Sequence, residues 1–220
     1  MRPLRRLFCI ALSGLAALPP GFAAAAEPQN GSQYVTLTSP QPADTGKKVE
    51  VIEFFAYYCP HCYAFEPQLA AWVKKQGDNI VYKRVHVSAG ARALPQQQLF
   101  YTLDAMGLLE QYHQKVFDAM HVQQLRFASE EQVMEWVGKN GIDRAKFAET
   151  WRSFGIQAKL RRAAAMMEAY QVDHWPMLVI DGRYVTSPSR VHQGDTEMQQ
   201  QQAALQVMDY LVDKAKAEKR

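Results

Sequence analysis

Two cysteines separated by two residues, Cys59-Pro60-His61-Cys62, constrain this chain more than any other stretch. An apolar, strand-like run, Val49 to Ala56, leads into them, and a helix-like stretch, Tyr63 to Lys75, follows. A C-x-x-C pair between a strand and a helix reads as a redox dithiol rather than two independent thiols. If the helix starts at the motif, Cys59 sits where unpaired N–H groups and the positive dipole end favour a negative sulfur. Pro60 suits the first helical position, where its missing N–H has no helical partner. His61, when protonated, adds a nearby positive charge. Cys62 lies one turn into the helix and is expected to be the more buried, resolving thiol. A stabilised thiolate favours the reduced form, which makes the disulfide a stronger oxidant. The competing readings are a plain local disulfide and half of a metal site. Zinc usually takes four ligands, and no second C-x-x-C is present. No metal or other cofactor is expected, because the Cys59–Cys62 disulfide is itself the redox centre.

The first 26 residues differ from the rest. Arg2, Arg5 and Arg6 form a basic start, Leu7 to Leu18 is a short apolar run, and Ala24-Ala25-Ala26 supplies small residues before Glu27. That pattern predicts a secretory signal peptide over residues 1–26, pointing to a bacterial periplasm. The alternative, a membrane anchor, is disfavoured because spanning needs about 20 apolar residues. Cys9 lies in the run, so removal leaves two cysteines. Of 25 lysines and arginines, losing those three arginines leaves 22 against 22 aspartates and glutamates. A near-neutral mature chain gives no reason to expect nucleic-acid binding. A bridge between residues three apart closes a tiny loop and stabilises a fold little, so reactivity explains the pair better than stability does.

Read in order, Tyr34 to Leu37 is a short edge strand and Pro40, Pro42 and Gly46 mark a loop. Val49 to Ala56 is apolar on both faces, as in a strand buried on both sides, with Glu53 interrupting it. Pro67 falls inside the first helix and is expected to kink it. Ile80 to Val87 completes a βαβ unit. Helices are then expected over Pro95 to Met106, Leu108 to His121, Ser129 to Asn140, Asp143 to Phe154 and Ile156 to Tyr170. Gly107, Gly141 and Gly155 punctuate them. Met177 to Ile180, Asp181-Gly182 and Arg183 to Val185 predict a hairpin. Asp195 is expected to cap a last helix with Met198, Leu205, Met208, Leu211 and Val212 on one face. The order β-β-α-β, helices, β-β-α gives an α/β thioredoxin fold with an inserted all-helical subdomain. The thioredoxin domain spans 27–90 and 164–220, and the insertion spans 91–163.

Trp175-Pro176 precedes the hairpin, where a thioredoxin fold carries a cis-proline facing the cysteine pair and leaves backbone free to pair with an extended substrate. An ordinary trans proline at a strand start is the alternative. Two readings of Glu53 stand together. Burial raises its pKa and suits it to relay protons to Cys62 through water, or it pairs with a base such as Lys83 or Arg84. Glu66 follows the motif by one turn and reads as a surface or rim charge. His86, His113, His121, His174 and His192 are scattered without metal-ligand spacing and read as structural or surface residues. Phe54, Phe55, Tyr57, Tyr58, Tyr63 and Phe65 crowd the motif. Some of them belong to the core, while Tyr57, Tyr58 or Tyr63 could form an apolar surface for unfolded chains.

These residues resemble the DsbA family of periplasmic thiol:disulfide oxidoreductases. The resemblance is carried by Phe54-Phe55, the spacing to Cys59-Pro60-His61-Cys62, Tyr63, Phe65-Glu66, Val85-His86-Val87, Pro176 and Asp181-Gly182-Arg183-Tyr184. It covers nearly all of the chain after the leader. It implies Cys59 as the attacking thiolate, Cys62 as its partner, Pro60 and His61 as tuners, and Pro176 as the cis-proline. It further implies disulfide donation to reduced, newly exported proteins and reoxidation by a quinone-linked membrane partner of the DsbB type. The chain is expected to act as a monomer. Trp175 departs from the family, whose best-known members carry a small β-branched residue there, and Pro67 is closer to thioredoxin. The competing functions are a disulfide isomerase or reductase and a peptide-binding folding factor.

Overall fold

A computed structural model describes residues 27–88 and 90–219. The expected leader, with Cys9, lies outside them. A five-stranded mixed sheet organises the chain: β1 (Val35–Thr36), β2 (Val49–Phe55), β3 (Ile80–His86), β4 (Met177–Ile180) and β5 (Tyr184–Thr186), in the spatial order β1-β5-β4-β2-β3. β2 pairs parallel with β3 and antiparallel with β4, and the β4–β5 and β5–β1 pairs are antiparallel. β2 is buried along its whole length, as its two apolar faces require.

Strand alternation divides the core in two. Ile52 and Phe54 of β2 and Met177 and Val179 of β4 point into one cluster with Phe55, Phe100, Phe117, Trp136 and Phe147. Val49, Val51, Leu178 and Ile180 point to the other face, where they meet Phe65, Leu69 and Trp72 and the apolar side of the last helix. Helix α1 (Pro60–Gln76) crosses between β2 and β3, while α2 (Leu94–Ala105), α3 (Leu109–His121), α4 (Glu130–Lys139), α5 (Arg144–Trp151) and α6 (Phe154–Ala169) stand between β3 and β4 in the chain. The short α7 (Pro188–Val191) and the long α8 (Glu197–Glu218) close it. This is the α/β thioredoxin fold with a helical insertion, and the expected boundary at 163–164 falls inside α6.

The β4–β5 turn forms as Asp-Gly dictates. Asp181 and Gly182 take φ of 51° and 65°, and Arg183 N–H donates to the Ile180 carbonyl at 3.1 Å. Gly182 is obligatory here, since a Cβ would lie 2.0 Å from the Gln41 carbonyl oxygen. Ser129 and Asp143 cap α4 and α5, each side chain accepting from a backbone N–H of the first turn. Two boundaries and one face assignment differ. Gly155 lies within α6, because the Ser153 hydroxyl accepts from Ile156 N–H and starts that helix two residues earlier. Thr196, not Asp195, caps α8 through a capping box with Gln199. Met198 is 62% exposed and stands off the buried face of α8 formed by Val207, Met208, Leu211 and Val212.

Candidate active site

Cys59 is the N-cap of α1, with Pro60 in the first turn. Its sulfur accepts the Cys62 N–H at 3.3 Å, one of the donors that a helix N-terminus leaves without a helical partner. Both cysteines are free thiols in this structure. The sulfur of Cys59 also lies 3.7 Å from the Trp175 carbonyl oxygen. The Trp175–Pro176 bond is cis, and the Trp175 carbonyl contact puts the loop before β4 against the motif.

The two sulfurs differ in acidity. A hydrogen bond from the Cys62 thiol, backbone N–H groups of Cys62 and His61, and the His61 charge outweigh burial and lower Cys59 to about 7. Complete burial first, then the bond to Cys59 and the negative charges of Cys59 and Glu53, push Cys62 well up. At neutral pH a deprotonated pair therefore carries its charge on Cys59. The His61 imidazole points outward, and its Nδ1 lies 2.8 Å from Glu197 Oε1 on the first turn of α8. The bond to Glu197 outweighs partial burial and raises the pKa of His61.

Behind the motif lies a buried charged cluster. Glu53 on β2 stands opposite Arg84 on β3, 3.5 Å from its Nε, and accepts a 2.6 Å bond from the Tyr82 hydroxyl. Burial, followed by the nearby Glu66 carboxylate, raises Glu53 to about 7 against the pull of Arg84. Of the two bases weighed for Glu53, Arg84 is its partner, while Lys83 pairs with Glu50. Glu66 is not the rim charge expected: it is 5% exposed and accepts from Arg84 Nη2 at 2.7 Å. Its turn of α1 faces the sheet, and the guanidinium from β3 offsets part of the cost of that burial. His113 lies 3.5 Å from Glu66 and 2.9 Å from the Tyr57 hydroxyl, and burial drives its pKa down to about 3. Arg84 stands between the two carboxylates at the centre of the cluster, 3.5 Å from Glu53 and 2.7 Å from Glu66. His113 and Tyr82 carried no signal of their own in the sequence. A buried acid in β2 asks for a base on a neighbouring strand, and that is the one clue that pointed to Arg84.

The aromatic residues sort by face. Tyr57 is fully buried, against the expectation that it could join an apolar surface: its N–H donates to His86 Nε2 and its ring packs edge-on to Phe55 and Phe117. Tyr58 remains partly open and meets the Trp175 indole edge-to-face at 6.2 Å. Tyr63, also partly open, stacks on His121 at 4.6 Å, and His121 bonds the Tyr57 carbonyl, which brings the end of α3 beside the motif. Exposed Val122 follows on that side, and exposed Met198 stands beside Glu197 on the other. A cleft of about 980 Å³ between β3 and α6 includes neither cysteine nor Trp175-Pro176. Among the described residues no group of three His, Cys, Asp or Glu side chains is placed to hold a metal ion. No described helix is long and apolar enough to cross a membrane.

The family model for a DSBA-like thioredoxin domain matches residues 88–206. The thiol:disulfide interchange protein DsbA of Bordetella parapertussis is 42% identical over 167 residues, 76% of this chain and 79% of that protein. Its namesake in Pseudomonas aeruginosa is 34% identical over 215 residues, 97% of this chain and 98% of that one. The crystal structure of Pseudomonas aeruginosa DsbA covers 86% of this chain and 94% of its own, with a TM-score of 0.78 at 33% identity. Reduced DsbA1 from Neisseria meningitidis covers 88% of this chain and 98% of its own, with a TM-score of 0.75 at 27% identity.

Proposed function

Because the chain belongs to the DsbA family and is a thiol:disulfide oxidoreductase, we propose that it works in the oxidising direction, donating the Cys59–Cys62 disulfide to reduced proteins newly exported to the periplasm. A substrate thiolate attacks the Cys59 sulfur, the Cys59–Cys62 bond breaks, and Cys62 leaves with the electron pair and takes up a proton. A second substrate thiolate attacks the substrate sulfur of the mixed disulfide, and Cys59 leaves as a thiolate. The substrate gains one disulfide and loses two electrons, which the protein now holds as a dithiol. Return to the disulfide passes those electrons to a quinone-linked membrane oxidase of the DsbB type. The leader, residues 1–26, directs export and is then removed.

The observation that carries this reading is the inequality of the two thiols. Cys59 is the better leaving group because its thiolate is stabilised at the helix N-terminus. Cys62 is buried and its thiol is disfavoured as an anion, so it holds the proton in the reduced protein. Pro60 and His61 set the helix start and the local charge. The Trp175 carbonyl and the cis Pro176 offer a backbone edge to an extended substrate, and the indole narrows the approach. Glu53, at the base of the motif, accepts and returns the Cys62 proton through water, while Glu66 and Arg84 set its charge. No metal takes part.

Cys59→Ser abolishes oxidation of a reduced model substrate, and Cys62→Ser accumulates protein–substrate mixed disulfides on non-reducing gels. Undiminished oxidase activity in Cys59→Ser overturns the assignment. A wild-type couple more reducing than glutathione, or efficient unscrambling of a mispaired substrate, moves the protein to the reductase or isomerase reading.

A further inference from the structure

His61 lies in the motif, yet its ring is held from the far end of the chain. Its Nδ1 meets Glu197 Oε1 at 2.8 Å, across 136 residues of sequence. Glu197 is in turn braced. The Gln201 amide donates to the same Oε1 at 3.3 Å, and Gln68 donates to Gln201 Oε1 at 2.6 Å. Gln201 is 2% exposed, so this brace is built into the α1–α8 seam rather than laid on the surface. Trp72 and Gln76 continue the seam, both donating to Asp209 at 2.8 and 2.6 Å. The N-terminal turns of α1 and α8 thus stand side by side, with the carboxylate placed on the motif histidine.

We propose that Glu197 is a positioning residue for the thiol chemistry: its carboxylate keeps the His61 imidazole charged and in place beside Cys59, and so sets how far the Cys59 thiolate is favoured. The charged groups acting on His61 are Glu197 from α8 and Cys59 from the motif itself. Cys62 and His61 act on Cys59, and Glu197 is not among the groups that act on it directly. The pair is half exposed, so its strength is that of a surface ion pair and falls with salt. At pH 5 an imidazole is charged with or without a partner; near pH 7 the partner decides.

The inference rests on the reading of Cys59 as the attacked sulfur. Wild-type turnover and the glutathione equilibrium test that reading by themselves, whereas variants at Glu197 test only the inference. Glu197→Gln keeps the shape of the side chain and removes its charge. In the reduced protein it lowers the pH at which His61 titrates, followed by NMR, and raises the pH at which Cys59 ionises, followed by thiolate absorbance. It also reduces the equilibrium constant for glutathione oxidation at pH 7 by up to about twofold. In a His61→Ala background the same change no longer raises the Cys59 titration. Glu197→Asp falls between Gln and wild type. An unmoved His61 titration in Glu197→Gln overturns the proposal. So does an equal rise in the Cys59 titration without His61, which would mark a merely structural role for α8.

Discussion

The acidic Cys59 thiol makes the stability of the reduced protein depend on pH in a calculable way. Its folded pKa of about 7 lies below the ordinary value of 9.0. A depressed acid stabilises the fold above the unfolded value and loses that contribution as pH falls through the folded one. The window is therefore pH 7 to 9. Proton linkage with those two values gives a contribution of about 0.4 kcal/mol at pH 7 and about 2.3 kcal/mol at pH 9. The perturbation that isolates it is Cys59→Ser, which removes the titrating group while keeping the N-cap type. Urea unfolding of the reduced wild type and the variant is compared at pH 6, 7, 8 and 9, with thiols kept reduced. The stability difference between them grows by about 2 kcal/mol across the series in favour of the wild type. Repeated on the oxidised wild type, where no thiol titrates, the growth disappears. A difference that stays flat between pH 6 and 9 refutes the claim that the helix N-terminus and its neighbours hold the Cys59 thiolate.

Two other outcomes follow from the surroundings of the motif. Glu53 is raised to about 7, so in the native state it keeps a proton that the unfolded chain releases near the ordinary 4.5. Native stability is thus lost as pH rises through that window, and Glu53→Gln unfolds at higher urea than wild type at pH 8, by about 1–3 kcal/mol, with little difference at pH 4. Trp175→Val opens the approach between Tyr58 and the cis-proline loop. It raises kcat/KM for a structured protein substrate several-fold more than for a short dithiol peptide, measured by parallel oxidation assays; equal changes for both substrates would show that the indole does not gate access.

How far the chain was legible depended on the distance over which each feature is decided. The cysteine pair, Pro60, the Ser129 and Asp143 caps and the Asp181-Gly182 turn depend on a few neighbouring residues, and each stands where local chemistry places it. Two missed boundaries were also local. Ser153 is a better helix start than Gly155 is a stop, and Thr196 with Gln199 three residues on forms a capping box that Asp195 does not. Glu66 is different in kind. One turn of helix cannot tell which of its sides meets the sheet, and the guanidinium that accommodates the acid arrives from β3, eighteen residues later. The burial of Tyr57 depends likewise on His86 and His113, which come from β3 and α3. The contact between His61 and Glu197 has no trace in the sequence, because nothing short of the whole fold brings the ends of α1 and α8 together.

The separation of the two halves of the site bears on how the protein comes into being. The Trp175 carbonyl that faces Cys59 follows it by 116 residues. Closing a segment of that length carries an entropy term of about 4 kcal/mol. During synthesis the dithiol is therefore exposed long before the strand that shelters it exists, and the helices of the insertion must be made in between. Until β4 docks on β2, a cysteine pair destined to handle other chains is one more pair of unguarded thiols in a nascent polypeptide. The catalyst begins life in the condition of its own clients.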